Sequence, residues 1–120
     1  MHFKIQVGEI TDSAVSVRPD YSLLIYPIIT FYDTLTHLGS RNNLIGKNPS
    51  PDKIELYSNE KQVSQETPPA FLISTADDGL PVENSILYFL ACKKNKVPVE
   101  MHIYEKGGHG YGLKKREDDL

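Results

Sequence analysis

Two segments of the chain contain residue types that together can move a proton. Asp77 and Asp78 follow one apolar run, and His109 lies in a glycine-rich segment that follows another. A carboxylate that accepts a hydrogen bond from one imidazole nitrogen fixes the tautomer of the ring and stabilises the imidazolium formed during proton transfer. The spacing therefore permits the acid–histidine half of a catalytic triad. Acidic pairs and glycines also serve as ordinary turns at strand ends, and that interpretation stays open at this point.

The elements that must position these residues are predicted from apolar runs. Runs at residues 21–26, 70–76 and 99–104 predict three strands, the first of them buried on both faces as in a parallel sheet. Residues 30–50 are predicted to form a loop with one helical turn near residues 43–45. The second half of the chain is thus strand, turn, helix and strand, a βαβ unit that is right-handed by strong preference.

Two helices are predicted between these strands. The serine, proline and aspartate at residues 50–52 are typical of a helix start, so one helix is expected over residues 51–58. The longer helix is expected over residues 82–95, followed by a proline at position 98 that ends the segment. The residues predicted to form its apolar face are Val82, Ile86, Phe89 and Leu90.

The βαβ unit places the acid pair just past the end of one strand and His109 past the end of the next. Paired parallel strands lie about 4.8 Å apart and end at the same edge, where open α/β sheets bind ligands. We therefore expect one carboxylate of the pair to reach the imidazole. Three glycines would let the loop turn sharply and place the ring: Gly107, Gly108 and Gly110.

Metal and cofactor motifs are weak in this sequence. Cys92 is the only cysteine, which excludes an internal disulfide and a zinc–thiolate cluster, and it is predicted to be a core residue. The four histidines are scattered, so no metal site is expected, and His102 is predicted to pack within its strand. Leu113 stands where a dinucleotide-binding motif starting at Gly108 needs its third glycine, and no cofactor is expected.

Composition limits the classes of partner. The chain has 120 residues, 39% of them hydrophobic, and a net charge of −3, which indicates one small globular domain without a basic surface for nucleic acid. Its longest apolar run is far shorter than the roughly 20 residues of a membrane-spanning helix. Because the start of the chain lacks a signal-peptide pattern, the cytoplasm is the default expectation for a compartment that the sequence leaves undetermined.

A serine nucleophile of the hydrolase type is not found in the sequence. The strained turn that exposes such a serine has the pattern Gly-x-Ser-x-Gly. The chain has nine serines, and none has glycine both two residues before it and two residues after it: Ser13, Ser16, Ser22, Ser40, Ser50, Ser58, Ser64, Ser74 and Ser85.

The run from Arg18 to Leu113 resembles the C-terminal half of α/β-hydrolase esterases, in the acetyl xylan esterase-like (xylanase-like) branch of bacterial carbohydrate esterases. The matching segments are residues 36–46, 58–63, 68–72, 77–78, 81–85 and 102–110. The resemblance implies a three-layer α/β fold of parallel strands with flanking helices. It further implies that residues 18–113 are part of a hydrolase domain. Composition and patterning predict an irregular segment or edge strand at 1–17 and a charged tail at 114–120.

The resemblance also implies roles for the site residues. His109 matches the catalytic histidine of these enzymes, and Asp78 is the preferred acid. Asp77 is the alternative acid, because the turn before Pro81 is one residue shorter than in the family pattern. In such enzymes the order along the chain is serine, acid and histidine, so this chain corresponds to the part after the nucleophile.

The function implied is serine-type hydrolysis of carboxylic esters of acylated carbohydrates, with the chain expected to be inactive alone because the nucleophile is not in it. Two alternatives remain: a non-catalytic hydrolase remnant, and a small α/β binding module whose acid pair binds a cation. The strand at 21–26 lacks its upstream neighbour in this chain, so an oligomer is expected, most simply a two-fold dimer. Residues 1–17 could instead fold back as a surrogate edge strand, since residues 3–7 alternate apolar and polar.

Overall fold

A computed structural model describes residues 15–113 of the chain. They form three strands, β1 (Ser22–Ile25), β2 (Ala70–Thr75) and β3 (Val99–Tyr104), and three α-helices, α1 (Leu38–Ile45), α2 (Pro51–Tyr57) and α3 (Glu83–Lys94). A 3₁₀ turn, Asn59–Lys61, follows α2. The predicted α/β class of parallel strands with flanking helices is confirmed. The possible edge strand at 1–17 and the charged tail fall largely or wholly outside the described residues.

The strands form one parallel sheet in the order β1-β2-β3. Leu24 of β1 lies beside Leu72 of β2, which in turn lies beside Met101 of β3. Residues paired in this way share a face of the sheet, and this row belongs to the hydrophobic core. Leu72 at its centre is completely buried together with Tyr88 and Cys92 of α3, so the core lies between the sheet and this helix. The expectation that Cys92 is a core residue is confirmed.

Helix α3 buries a face that only partly overlaps the predicted one: Phe89 packs against the core, as expected. Its buried residues are Asn84, Ser85, Tyr88 and Cys92, whereas Leu90, expected in the core, is 54% exposed. The hydroxyl oxygens of Ser85 and of Ser74 on β2 are 2.6 Å apart. Small hydroxyl side chains let the helix lie close to the sheet and satisfy each other's hydrogen bonds there, which an apolar pattern alone does not reveal.

Asn84 joins α3 to the segment that follows β1. Its side-chain oxygen accepts hydrogen bonds from the backbone N–H groups of Ile29 and Thr30, at 2.9 and 3.0 Å. Its side-chain nitrogen donates to the backbone carbonyls of Leu35 and Pro81, at 2.8 and 3.0 Å. The residue is only 2% exposed, so one buried amide satisfies four backbone groups of two different loops.

Helix α1 occupies part of the segment that was predicted as a loop with a single helical turn. Ring nitrogen Nδ1 of His37 accepts a hydrogen bond from the backbone N–H of Ser40, at 3.3 Å, and so caps the helix. Arg41 is buried, donates to the backbone carbonyl of Phe31 at 3.1 Å and forms an ion pair with Asp33. These contacts with the preceding loop stabilise a helix that lacks a strong apolar pattern, which explains why the prediction was too short.

Helix α2 begins as predicted. The Ser50 hydroxyl accepts a hydrogen bond from the backbone N–H of Lys53, Pro51 occupies the first helical position, and Asp52 lies in the first turn. Among residues 15–113, no helix is long and apolar enough to cross a membrane.

Strand β1 is not buried on both faces, which corrects the prediction. Leu23 is 73% exposed and Ile25 is 46% exposed, whereas Ser22 and Leu24 are half-buried. In the described part of the chain, β1 also forms one edge of the sheet. The apolar run indicated a strand correctly, but burial depends on what covers each face, and nothing in residues 15–113 covers this one.

Within residues 15–113, the outer edge of β1 has no pairing strand. Ser22 and Tyr26 donate their N–H groups to carbonyls of the segment that contains β2, so the backbone groups of Leu23 and Ile25 point away from the sheet. We propose that a second copy of the chain pairs antiparallel with this edge, with Leu23 on the two-fold axis. In that register Leu23 faces its own counterpart and Tyr21 faces Ile25, so the outward backbone groups are matched and the exposed apolar side chains meet on one face.

Replacing Leu23 by lysine should weaken this association, because the substitution places two ammonium groups face to face on the pairing edge. We expect the dissociation constant measured by light scattering over a series of protein concentrations to rise at least about tenfold, or about 1.4 kcal/mol. Leu44→Lys is the matched control, since Leu44 is 60% exposed on α1, away from the edge. A wild-type chain that stays a 13.5 kDa monomer at every concentration would refute the dimer.

Candidate active site

The structure brings His109 and Asp78 together at the carboxyl ends of β2 and β3. Nδ1 of His109 lies 2.9 Å from Oδ2 of Asp78. The Asp78 side chain is only 4% exposed, while the His109 side chain is 44% exposed. The second carboxylate oxygen of Asp78 accepts a hydrogen bond from the backbone N–H of Leu80, at 2.8 Å. Asp78 is therefore held by its own turn and aimed at the ring, which is the contact expected from the βαβ geometry.

Asp77, the alternative acid, has a different set of partners. Its carboxylate accepts hydrogen bonds from the backbone N–H groups of Gly108 at 2.8 Å and Gly107 at 3.2 Å. The hydrogen bond from Gly108 is the main reason that the pKa of Asp77 lies below its ordinary value. Partial desolvation raises this pKa, whereas the hydrogen bonds with Gly107 and Thr75 lower it further. Asp77 thus fixes the glycine loop, and Asp78 faces the imidazole.

The glycine loop lies tightly against the end of β2. The hydroxyl of Thr75 donates a hydrogen bond to the backbone carbonyl of Gly108, at 2.7 Å. A Cβ atom at Gly107 would lie 2.6 Å from the methyl carbon of Thr75, which is too close for two carbon atoms that are not bonded to each other. Gly108 and Gly110, on either side of His109, have φ angles of +65° and +73°, a region that other residues rarely adopt. The contact with Thr75 therefore leaves no room for a side chain at Gly107, and the positive φ angles favour glycine on either side of His109.

The exposed side of His109 is available for proton transfer. Among residues 15–113, no hydrogen bond involves Nε2 of this ring and no serine hydroxyl is bonded to it. With Asp78 at Nδ1, the neutral ring carries its proton on Nδ1 and a lone pair on Nε2. An imidazole arranged in this way can accept a proton from a hydroxyl group and return it to a leaving group.

Two tyrosines extend the site beyond the predicted residues, one packed against His109 and the other against the first tyrosine. The ring of Tyr26 lies 4.6 Å from the imidazole, centroid to centroid, and that of Tyr111 lies 5.0 Å from Tyr26. Burial is the main cause of the raised pKa of Tyr111. A signal was present, because Tyr26 ends a predicted strand and so must lie at the same edge as the acid pair.

Other candidate residues lie away from this site. Cys92 is buried, and burial raises the pKa of its thiol to about 11, so it is not a ready nucleophile. His102 lies within β3 and its ring packs against that of Phe71, as expected, but the side chain is half-exposed. Its Nε2 atom lies 2.6 Å from the carboxylate of Glu100.

The acid pair shows no arrangement suited to a cation. Both carboxylates are already engaged, Asp77 by the glycine loop and Asp78 by His109 and its own turn. Within the described range, no three His, Cys, Asp or Glu side chains are grouped so that they could hold a metal ion. The arrangement favours the histidine-orienting role over the cation-binding alternative.

Comparison with known proteins agrees with this geometry. The model of the prolyl oligopeptidase family matches residues 10–119. The chain is 40% identical over 97 residues to endo-1,4-beta-xylanase B of Butyrivibrio fibrisolvens. This match covers 80% of the chain and 15% of the xylanase. The chain is 38% identical over 108 residues to the acetylxylan esterase of Xylanibacter ruminicola, covering 86% of this chain and 22% of the esterase.

A solved structure gives the same result. The acetyl ester-xyloside bifunctional hydrolase of Caldicellulosiruptor lactoaceticus superposes with a TM-score of 0.77 and 46% identity, over 80% of this chain and 35% of that one. These matches confirm the resemblance to acetyl xylan esterase-like hydrolases. The chain spans between about one seventh and about one third of the length of these relatives.

The role of Asp77 in the loop predicts a titration at low pH. Because the folded-state pKa lies below 3.8, the contribution of Asp77 to stability is complete above that pH and is lost as the pH falls through the folded-state value. The amide signals of Gly107 and Gly108 in an NMR titration should therefore shift with a midpoint below pH 3.8. Asp77→Asn should abolish this shift; a wild-type midpoint at or above 3.8 would contradict the assigned hydrogen bonds.

Proposed function

This chain belongs to the prolyl oligopeptidase family, and on that premise we propose that it supplies the acid and the histidine of a serine-type carboxylic-ester hydrolase acting on acylated carbohydrate. The observation that carries the proposal is the hydrogen bond between Asp78 and Nδ1 of His109 at the carboxyl edge of two adjacent parallel strands. An α/β sheet presents its catalytic groups at this edge.

The proposed mechanism assigns one task to each residue. Asp78 keeps the proton on Nδ1 of His109, which leaves the lone pair of Nε2 free to accept the proton of a serine hydroxyl. The serine oxygen then attacks the ester carbonyl carbon, and His109 returns the proton to the departing sugar oxygen, leaving an acyl-serine. A water molecule loses its proton to Nε2, attacks the acyl carbon and releases the carboxylic acid as the proton returns to the serine.

The serine in this mechanism comes from outside the 120 residues. None of the nine serines has the flanking glycines of the nucleophile turn. The related bifunctional hydrolase is about three times as long as the region that matches, so a nucleophile outside the matched region is consistent with its length. We propose that this chain performs ester hydrolysis only together with a part that carries the serine.

The substrate class is supported by the relatives. One is an acetylxylan esterase, and the structural relative is an acetyl ester-xyloside hydrolase. Both contain a stretch at least 38% identical to this chain, and each match covers at least 80% of the chain. We therefore propose acetylated xylan-type carbohydrate as the substrate class rather than a peptide.

A chimaera tests the acid–histidine role directly. The matching segment of the acetyl ester-xyloside hydrolase is replaced by this chain, and acetate release from acetylated xylan and p-nitrophenyl acetate is measured. We expect the chimaera to hydrolyse both. His109→Ala should lower kcat on the order of 10⁶-fold, and Asp78→Asn on the order of 10⁴-fold, because the first removes the base and the second its correct tautomer.

Matched controls separate this result from misfolding. His102→Ala removes a histidine of β3 and Asp20→Asn an exposed aspartate, neither of them in contact with His109, and both chimaeras should keep most of the activity. A folded chimaera with no esterase activity would favour the non-catalytic alternative. Activity that survives His109→Ala would show that the proton is transferred by another group.

The isolated chain should show no esterase activity above the buffer background. The reason is that among residues 15–113 no hydroxyl group is hydrogen-bonded to Nε2 of His109, and removal of the nucleophile from a triad costs on the order of 10⁶-fold in kcat. The measurement is p-nitrophenyl acetate hydrolysis by the purified 120-residue chain. Turnover that persists through a second purification and disappears in His109→Ala would overturn the expectation.

A further inference from the structure

The backbone of Tyr26 adopts a conformation that its sequence disfavours. Its φ angle is +40°, in the left-handed region that residues with a Cβ atom rarely enter. The following residue is Pro27, and a residue before proline is normally restricted to extended conformations. The N–H of Tyr26 donates to the carbonyl of Ile73 at 2.7 Å, which anchors the strained residue to the end of β2. Such outliers persist where the surrounding structure over-determines them, and they cluster at functional sites.

The strained turn directs the aromatic ring of Tyr26 onto His109. The two ring centroids are 4.6 Å apart with the planes inclined by 60°. Tyr111 supports the other side of this contact, 5.0 Å from Tyr26 and nearly perpendicular to it, at 73°. These distances and angles are those of favourable aromatic pairs. The end of β1 thus contributes to a site whose other residues all come from the ends of β2 and β3.

His109 needs such a contact because its other restraints are few. Its side chain is 44% exposed and makes one side-chain hydrogen bond, to Asp78. Gly108 and Gly110 flank it, so the adjoining backbone has no side chains that could hold the ring by packing. Rotation of the imidazole would break the contact of Nδ1 with Asp78 and turn Nε2 away from the open side.

We propose that Tyr26 is the positioning residue of His109: its ring blocks rotation of the imidazole and so keeps Nδ1 on Asp78 and Nε2 toward the open side. The ring performs this task rather than the phenol, since the Tyr26 hydroxyl makes no hydrogen bond within residues 15–113. The inference rests on the proposed function for its purpose, proton transfer by His109. It adds a third strand end to the site, and it explains why a strained residue occurs there.

NMR of the isolated chain tests the proposal through the tautomer of His109. Long-range ¹H–¹⁵N spectra distinguish a ring protonated on Nδ1 from one protonated on Nε2. In the wild type at a pH where His109 is neutral, we expect the Nδ1–H form. Tyr26→Phe keeps the ring and should keep this form. Tyr26→Gly removes the ring and also the backbone strain of the positive φ, so the fold should persist. The ratio of the Nδ1–H form to the Nε2–H form should then fall about 2- to 10-fold, which corresponds to the loss of one aromatic contact.

Controls make each outcome decisive. Tyr26→Asn is a second variant without an aromatic ring that tolerates the positive φ, and it should behave as Tyr26→Gly does. Tyr104→Ala removes a tyrosine whose ring stacks on His102 instead, and it should leave His109 unchanged. An unaltered tautomer ratio in folded Tyr26→Gly and Tyr26→Asn chains would overturn the positioning role.

The same spectra separate this proposal from the proposed function. A wild-type His109 without the Nδ1–H form would contradict the pairing with Asp78, and with it the proposed function. A wild-type His109 with that form, unchanged by loss of the Tyr26 ring, would contradict only the role of Tyr26. In the active chimaera, Tyr26→Gly should lower kcat by a similar factor and leave KM unchanged, because a tilted base affects proton transfer and not substrate binding.

Discussion

The parallel pairing of β2 with β3 is the constraint on which the candidate site depends. Thr75 and Tyr104 are the last paired residues of β2 and β3, so the two segments that follow these strands leave the sheet side by side. The acid pair lies two and three residues after Thr75, and His109 lies five residues after Tyr104. A parallel arrangement requires a crossover, and α3 provides it by packing its buried face on β2. Without that helix the carboxylates and the imidazole would have no common edge.

Two adjacent aspartates perform different tasks at this edge because neighbouring side chains leave the backbone in different directions. Asp77 accepts the amide protons of the glycine loop and holds the loop against the end of β2. Asp78 points its side chain inward, where it is nearly completely buried and meets the imidazole. The loop is thus positioned by charge-assisted hydrogen bonds rather than by apolar packing, which suits a segment whose glycines have no side chains to pack.

Buried polar groups have a similar part in the rest of the fold. Asn84 satisfies four backbone groups of the loops beside α3, and Ser58 accepts the N–H of Phe31 while donating to the carbonyl of Ile54. Loops that carry functional residues have backbone groups that must find partners when they are covered. The long segment between β1 and α1 is held in place by these side chains, and the strained end of β1 that presents Tyr26 directly precedes it.

Three features are predictable from the amino-acid sequence: the three strands, the helix starts at Ser50 and near Val82, and the meeting of the acid pair with His109. These features follow from local apolar runs, capping residues and the direction of a βαβ crossover, all of which can be read within about 40 residues. Tertiary contacts settle that Asp78, the preferred acid, faces the ring while Asp77 does not. They also determine which face α3 buries and bring Tyr26 against His109. Each of these outcomes depends on atoms from a different part of the chain, because the orientation of a side chain at a strand end and the burial of a helix face are set by what packs against them and not by the residues adjacent in sequence.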